Sequence, residues 1–377
     1  MARLRPDLSL VPLLATLALA CQDSTAPDAP LPLSEEAVPE EATPERPEPA
    51  ALVDQTHWAD GYVWADNPTA AAYTPDPYYA FNRTGGAIRI TKPAGTTGRY
   101  LVKFSGLSAF LGSKSTVHVT SYFTDGTYCK PVKGYLVADS LEVRCFRAAT
   151  GAAVNTYFTV LVLRQAGKLA FAHAHRPTEP SYTPQARGSW NPGGAIRVVR
   201  NNVGDYQVIF YNIRTLLAGS GNLGHVQVSA VGPGKHHCKV RTWNLGDESP
   251  NDGVNVLCHT QAGTRADTKF NVLFLAPSDR LAYVWANQPS AASYTPSTVT
   301  STGGATSIQR LGTGHYIVTW AGIASQLLDG GNVQVTAFGF DNPQCNVSGW
   351  GNFSATVRCF APTGAPVDAT YTVLLGS

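Results

Sequence analysis

The stretch Gly331-Asn332-Val333-Gln334-Val335-Thr336-Ala337, followed by Cys345, by Val357-Arg358-Cys359-Phe360 and by Tyr371-Thr372-Val373-Leu374, decides the fold. Apolar and polar residues alternate in it with period two, the pattern of strands with one buried face. The same order occurs twice upstream, from Val117 through Cys129 and Cys145 to Leu161, and from Val226 through Cys238 and Cys258 to Leu273.

Working outward, more landmarks keep that order. Tyr62-Val63-Trp64-Ala65 answers to Phe171-Ala172-His173-Ala174 and to Tyr283-Val284-Trp285-Ala286. Tyr73-Thr74-Pro75 and Gly85-Gly86-Ala87 each recur twice, at a spacing of about 108–112 residues, and the Tyr-x-Val-x-aromatic strand Tyr100/Val102/Phe104 returns as Tyr206/Val208/Phe210 and Tyr316/Val318/Trp320. A period that long marks whole domains rather than propeller blades. With 35 Gly, 26 Pro, one Met and 14% charged residues, the composition points to turn-rich β structure. The expected fold is therefore all-β: three tandem β-sandwich-like repeats over residues 56–165, 166–277 and 278–377, each with about seven short strands. Short connections suggest fixed joints, and both a rod and a compact cluster satisfy them.

Six of the seven cysteines fall one pair to a repeat, Cys129/Cys145, Cys238/Cys258 and Cys345/Cys359. A zinc site would need four ligands per unit, so a disulfide in each repeat, and hence an exported protein, is the expectation. The seventh, Cys21, ends a leader in which Arg3 and Arg5 precede an apolar run from Leu8 to Ala20, too short to span a bilayer.

The run closes Ala18-Leu19-Ala20-Cys21. It resembles the lipobox of bacterial lipoproteins, although Ala18 stands where Leu is usual. The resemblance covers residues 1–21 and implies a diacylated Cys21 at the mature N-terminus, a membrane partner and an address at the cell envelope, in the outer membrane or on the surface. Ala18-x-Ala20 also fits ordinary signal cleavage at the same bond, which would leave the protein secreted.

Residues 22–55 carry nine acids against Arg46, with seven prolines and few residues able to build a core; they read as a disordered, extended spacer. The formal net charge of +2 hides this segment's −8, and after the leader's +1 the repeats hold +9. That mild excess does not call for a nucleic-acid partner.

The residues that recur are fold-making ones. No carboxylate pair, Ser/His/Asp set or Cys/His set recurs, so no enzyme activity and no cofactor are expected. Gly219–Gly224 spells G-x-G-x-x-G but runs into an alternating strand from His225, so it reads as a turn. Asp247–Gly253 reads as a solvated hairpin loop rather than a calcium site. Of the six histidines in the middle repeat, His173 and His175 would share one strand face; with His236 and His237 they are weak metal candidates. Trp64 and Trp285 read as core. Trp190, Trp243 and Trp350 are candidate ligand-stacking residues.

The expected role is a lipid-anchored, non-catalytic binding or scaffolding module at the bacterial cell envelope, with a polysaccharide or envelope-protein partner. Two alternatives stand beside it: a carbohydrate-binding surface protein that uses exposed Trp and Tyr, and an envelope hydrolase with a single site in the His-rich middle repeat.

Overall fold

A computed structural model of the chain describes residues 57–217, 224–244, 253–296, 304–351 and 353–377. The leader with Cys21, the acidic segment, and nearly all of the 219–224 and 247–253 turns lie outside the described residues. The fold is all-β, and one pairing scheme occurs in three lobes.

Each lobe has an inner antiparallel sheet built on three strands, to which the first lobe adds Ala80–Asn82 on the edge of Gly61–Ala65. The three are Gly61–Ala65, Tyr157–Arg164 and Ser115–Tyr122 in the first lobe, Leu169–Ala174, Lys269–Leu275 and His225–Val231 in the second, and Leu281–Ala286, Thr370–Gly376 and Asn332–Phe338 in the third. The strand named second is the middle one. An outer sheet covers it, running in the first lobe Ala72–Tyr73, Ile88–Thr91, Arg99–Phe104, Ser140–Arg147, Thr127–Pro131. The second and third lobes repeat this order between Ser181 and His259 and between Ser293 and Phe360.

Outer strands follow the alternation in the sequence. In Arg99–Phe104, Tyr100, Val102 and Phe104 are buried in the first lobe's core, while Leu101 and Lys103 face solvent. Each cysteine pair sits directly opposite on two neighbouring outer strands, joined as Cys129–Cys145, Cys238–Cys258 and Cys345–Cys359 with Cα atoms 4.0–4.1 Å apart. The bridges thus clasp the outer sheet, not one sheet to the other. The three bonded pairs place the folded body in an oxidising, extracytoplasmic compartment.

Inner strands depart from the expectation of one wet face. Ser115–Tyr122, His225–Val231 and Asn332–Phe338 are buried on both sides. Their apolar face packs on their own outer sheet, and their polar face meets the other two lobes around a common axis. At one end of that axis Tyr62, Leu161, Phe171, Leu273, Tyr283 and Leu374 form a shared apolar core. Full burial of each such side chain contributes about 1.5–3 kcal/mol.

Further along, equivalent hydroxyls close the ring. The backbone N–H of Val335 donates to Thr120 Oγ1 (3.1 Å), that of Val228 to Thr336 Oγ1 (3.1 Å), and that of Val119 to Ser229 Oγ (3.3 Å). Edge strands repeat the circuit. Gly232 N–H donates to the Pro131 carbonyl (3.0 Å), Gly339 to Val240 (3.0 Å) and Phe123 to Val347 (2.9 Å). Each lobe grips the next in the same sense, and the third grips the first, so the body is a closed ring and not a rod.

Candidate functional site

The three seams between lobes are built from equivalent positions but not from equivalent residues. Where the third lobe meets the first, Trp64, Tyr122 and Trp350 pack edge to face, with ring centroids 5.2–5.6 Å apart. Where the second meets the third, Trp285, Phe338 and Trp243 do the same at 5.2–5.8 Å. Where the first meets the second, the corresponding residues are His173, Val231 and Gly134. Three aromatic rings are replaced by an imidazole, an isopropyl group and a hydrogen atom. The space they vacate is a cleft of about 280 Å³ lined by all three residues. It cannot be refilled from Gly134, where an added Cβ would lie 2.4 Å from His173 Nδ1.

The cleft wall is polar and basic: Lys133, Tyr135, His175, Gln185 and Lys269 line it with His173. Tyr135 meets His173 edge-on, with centroids 6.0 Å apart, and the Arg187 guanidinium lies 4.9 Å over its ring. No carboxylate pairs with Lys133 or Lys269 among the described residues, and none lines the cleft.

Buried Asn271 fixes the histidine tautomer. Its amide nitrogen donates to the carbonyls of Val117 (2.9 Å) and Gly134 (2.7 Å), so its Oδ1 faces His173 Nδ1 (2.9 Å) and must accept a proton from it. Burial pushes the His173 imidazolium down to about 4, against a smaller upward pull from that hydrogen bond. The ring is therefore neutral at pH 7 and carries its lone pair on Nε2. His175 is half-buried, also lowered chiefly by burial, and turns its Nδ1 to the His173 carbonyl (3.4 Å).

The two rings do stack on one strand face, 6.1 Å apart. Among the described residues, however, no group of three His, Cys, Asp or Glu could hold a metal ion. Two neutral imidazoles beside two lysines suit a cation poorly. They suit a ligand that brings negative charge for the lysines and hydrogen-bond donors for the imidazoles.

The remaining candidates lie elsewhere. His236 and His237 line a depression of about 60 Å³ on the ring axis. His237 is buried and stacked on His259 (5.3 Å), with burial holding it down to about 3. Trp243 and Trp350 are half-buried in the seams, and Trp350 donates its indole N–H to the Gly330 carbonyl (2.8 Å). Trp64 and Trp285 are also half-buried seam residues and not part of a lobe core. Trp190 packs on the axial apolar core, donates to the Ala166 carbonyl (2.9 Å) and carries Lys114 4.7 Å above its ring. These indoles serve as wedges and lids more than as open platforms. Among the described residues one serine hydroxyl meets an imidazole, Ser229 Oγ against His118 Nδ1 (3.2 Å), but both residues are buried on the axis and His118 stands where the other lobes have Gln227 and Gln334.

Gly134, Tyr135, Lys133 and Lys269 carry no signal in the recurring pattern, because the cleft exists where recurrence fails. The available signal was the absence of an indole at positions 134 and 173. Also unread was the latch in which Asp267 and Asp368 bind Arg200 and Arg310 (2.8 Å each) and accept from Tyr206 (2.7 Å) and Tyr316 (3.0 Å). In the first lobe Asn155 and Lys92 take those places, and the ion pair is lost. Comparison of the chain with protein-family models, with curated proteins and with solved structures finds no match.

Proposed function

We propose that this chain is an exported, lipid-anchored, non-catalytic binding module of the bacterial cell envelope, held by Cys21 and spaced from the membrane by the acidic segment 22–55. The observation that carries the reading is the broken equivalence of the seams. Two are filled with interlocked rings, and the third is left open over groups suited to holding a ligand. A rigid, disulfide-clasped frame around one polar cleft suits recognition. It suits hydrolysis less, since among the described residues no carboxylate or hydroxyl nucleophile is hydrogen-bonded to the imidazole of His173 or His175.

The test is to incubate the full chain with washed envelope polysaccharide and envelope-protein fractions and measure co-sedimentation. Saturable binding to one fraction supports the module; binding to neither removes it. Intact mass before and after reduction checks the export part of the reading, with a diacyl addition at Cys21 and three disulfides expected.

Of the alternatives, carbohydrate recognition gains a specific observation. The cleft offers a tyrosine ring, an amide and two imidazole lone pairs within one concavity, the mix of flat and polar surface that sugars use.

A further inference from the structure

We propose that the cleft between the first and second lobes binds an acidic sugar, a ring bearing both free hydroxyls and a carboxylate. The assignment rests on the binding-module reading and names the ligand class for that cleft.

Two features of the wall have to be met at once. Lys133 and Lys269 present positive charge without a partner carboxylate among the described residues, which calls for an anion. His173 and His175 turn their Nδ1 atoms inward, to Asn271 Oδ1 and to the His173 carbonyl, so each neutral ring keeps a lone pair on Nε2 that can only accept. Sulfate satisfies the lysines but brings no donor to the imidazoles, and hydrogen phosphate brings one donor for two of them. A neutral sugar supplies donors and leaves the lysines unmatched. A uronic-acid-type ring supplies both, and Gln185 can take either role toward a further hydroxyl. At about 280 Å³ the cleft suits a single residue of a chain rather than a long oligomer. The other two seams cannot take this ligand, because Trp64/Trp350 and Trp285/Trp243 occupy the same space.

The test is isothermal titration calorimetry of the full chain against oligogalacturonate, a neutral glucose oligomer and inorganic phosphate. It is repeated with the double variant Lys133→Glu/Lys269→Glu and with His173→Trp, which supplies the indole found at the other seams. The expected result is saturable binding of oligogalacturonate alone, weakened about tenfold or more by the charge reversal with the thermal midpoint unchanged, and abolished by His173→Trp. Both lysines are exposed, so the double variant keeps the test valid if His173→Trp does not fold. Equal binding of the neutral oligomer or of phosphate would overturn the ligand class, as would silence with all three probes. Oligogalacturonate binding that neither variant weakens would overturn the cleft as its site. In each case the envelope co-sedimentation experiment decides separately whether the chain is a binding module at all.

Discussion

His118 lies on the ring axis with its Nδ1 against Ser229 and its Nε2 3.3 Å from Thr116 Oγ1. Burial alone lowers it to about 3, and His225 likewise. In the unfolded chain these rings titrate near 6.5. Below that pH the unfolded state binds protons that the folded state does not, so their stabilising contribution is complete above 6.5 and is lost progressively as pH falls toward 3. The urea midpoint should therefore be level from pH 8 to 7 and decline steadily between 6.5 and 4. His118→Gln, which installs the residue of the other two lobes, should leave the midpoint at pH 7.5 nearly unchanged and flatten the acid slope; an unchanged slope would exclude His118 as a cause. A second residue-scale expectation concerns Thr120, whose hydroxyl accepts from Val335 N–H and donates to Gln334 Oε1 (2.9 Å). Thr120→Val preserves shape but strands both partners, and should cost about 1–3 kcal/mol in equilibrium unfolding.

At the scale of elements, the disulfides join the two outer strands that carry the hairpin toward the next lobe. Opening the second, Cys238–Cys258, by a double Ala substitution releases a loop of sequence separation 20 and should lower stability by about 3 kcal/mol, read as a shifted denaturation midpoint. Strands and clasps were legible because alternation and cysteine spacing are local properties. What local patterning could not reveal is where the polar half of an inner strand goes. In Val117-His118-Val119-Thr120 the alternation promised a wet face, yet His118 and Thr120 are buried against other lobes. The polar residues mark the seam, and only tertiary assembly distinguishes a hydroxyl facing water from one facing a neighbour's N–H. The cleft was hidden for a related reason. His173 stands at the Trp64/Trp285 position in the sequence itself, but the consequence depends on Gly134 and Val231, which belong to different strands and are unremarkable singly.

At the scale of the whole molecule, the three lobes share one apolar axis and three hydrogen-bonded seams, so they should unfold together. Calorimetry of the full chain should give a single transition, and residues 57–165 expressed alone should lack a cooperative one, since the fragment would expose Tyr62, Leu161 and its unpaired seam hydroxyls. Leu374→Ala, far in sequence from the first two lobes, should cost about 2–5 kcal/mol of unfolding free energy and lower the common midpoint rather than split the transition. Separate melting of the third lobe would show that the ring is less tightly coupled than its geometry implies.

The backbone N–H of Trp58 donates to the carbonyl of Ser377 (3.1 Å), and Ser377 N–H donates to Arg280 (3.3 Å). Residues 58 and 377 of the folded body thus lie side by side. In a fragment spanning residues 57–377, a few glycines and serines joining residue 377 to residue 57, with a new cut in the 276–280 connection, would give a circular permutant in which every seam is intact. Such a protein should melt close to the parent and keep its cleft, because which lobe is synthesised first is a matter of gene order and not of architecture.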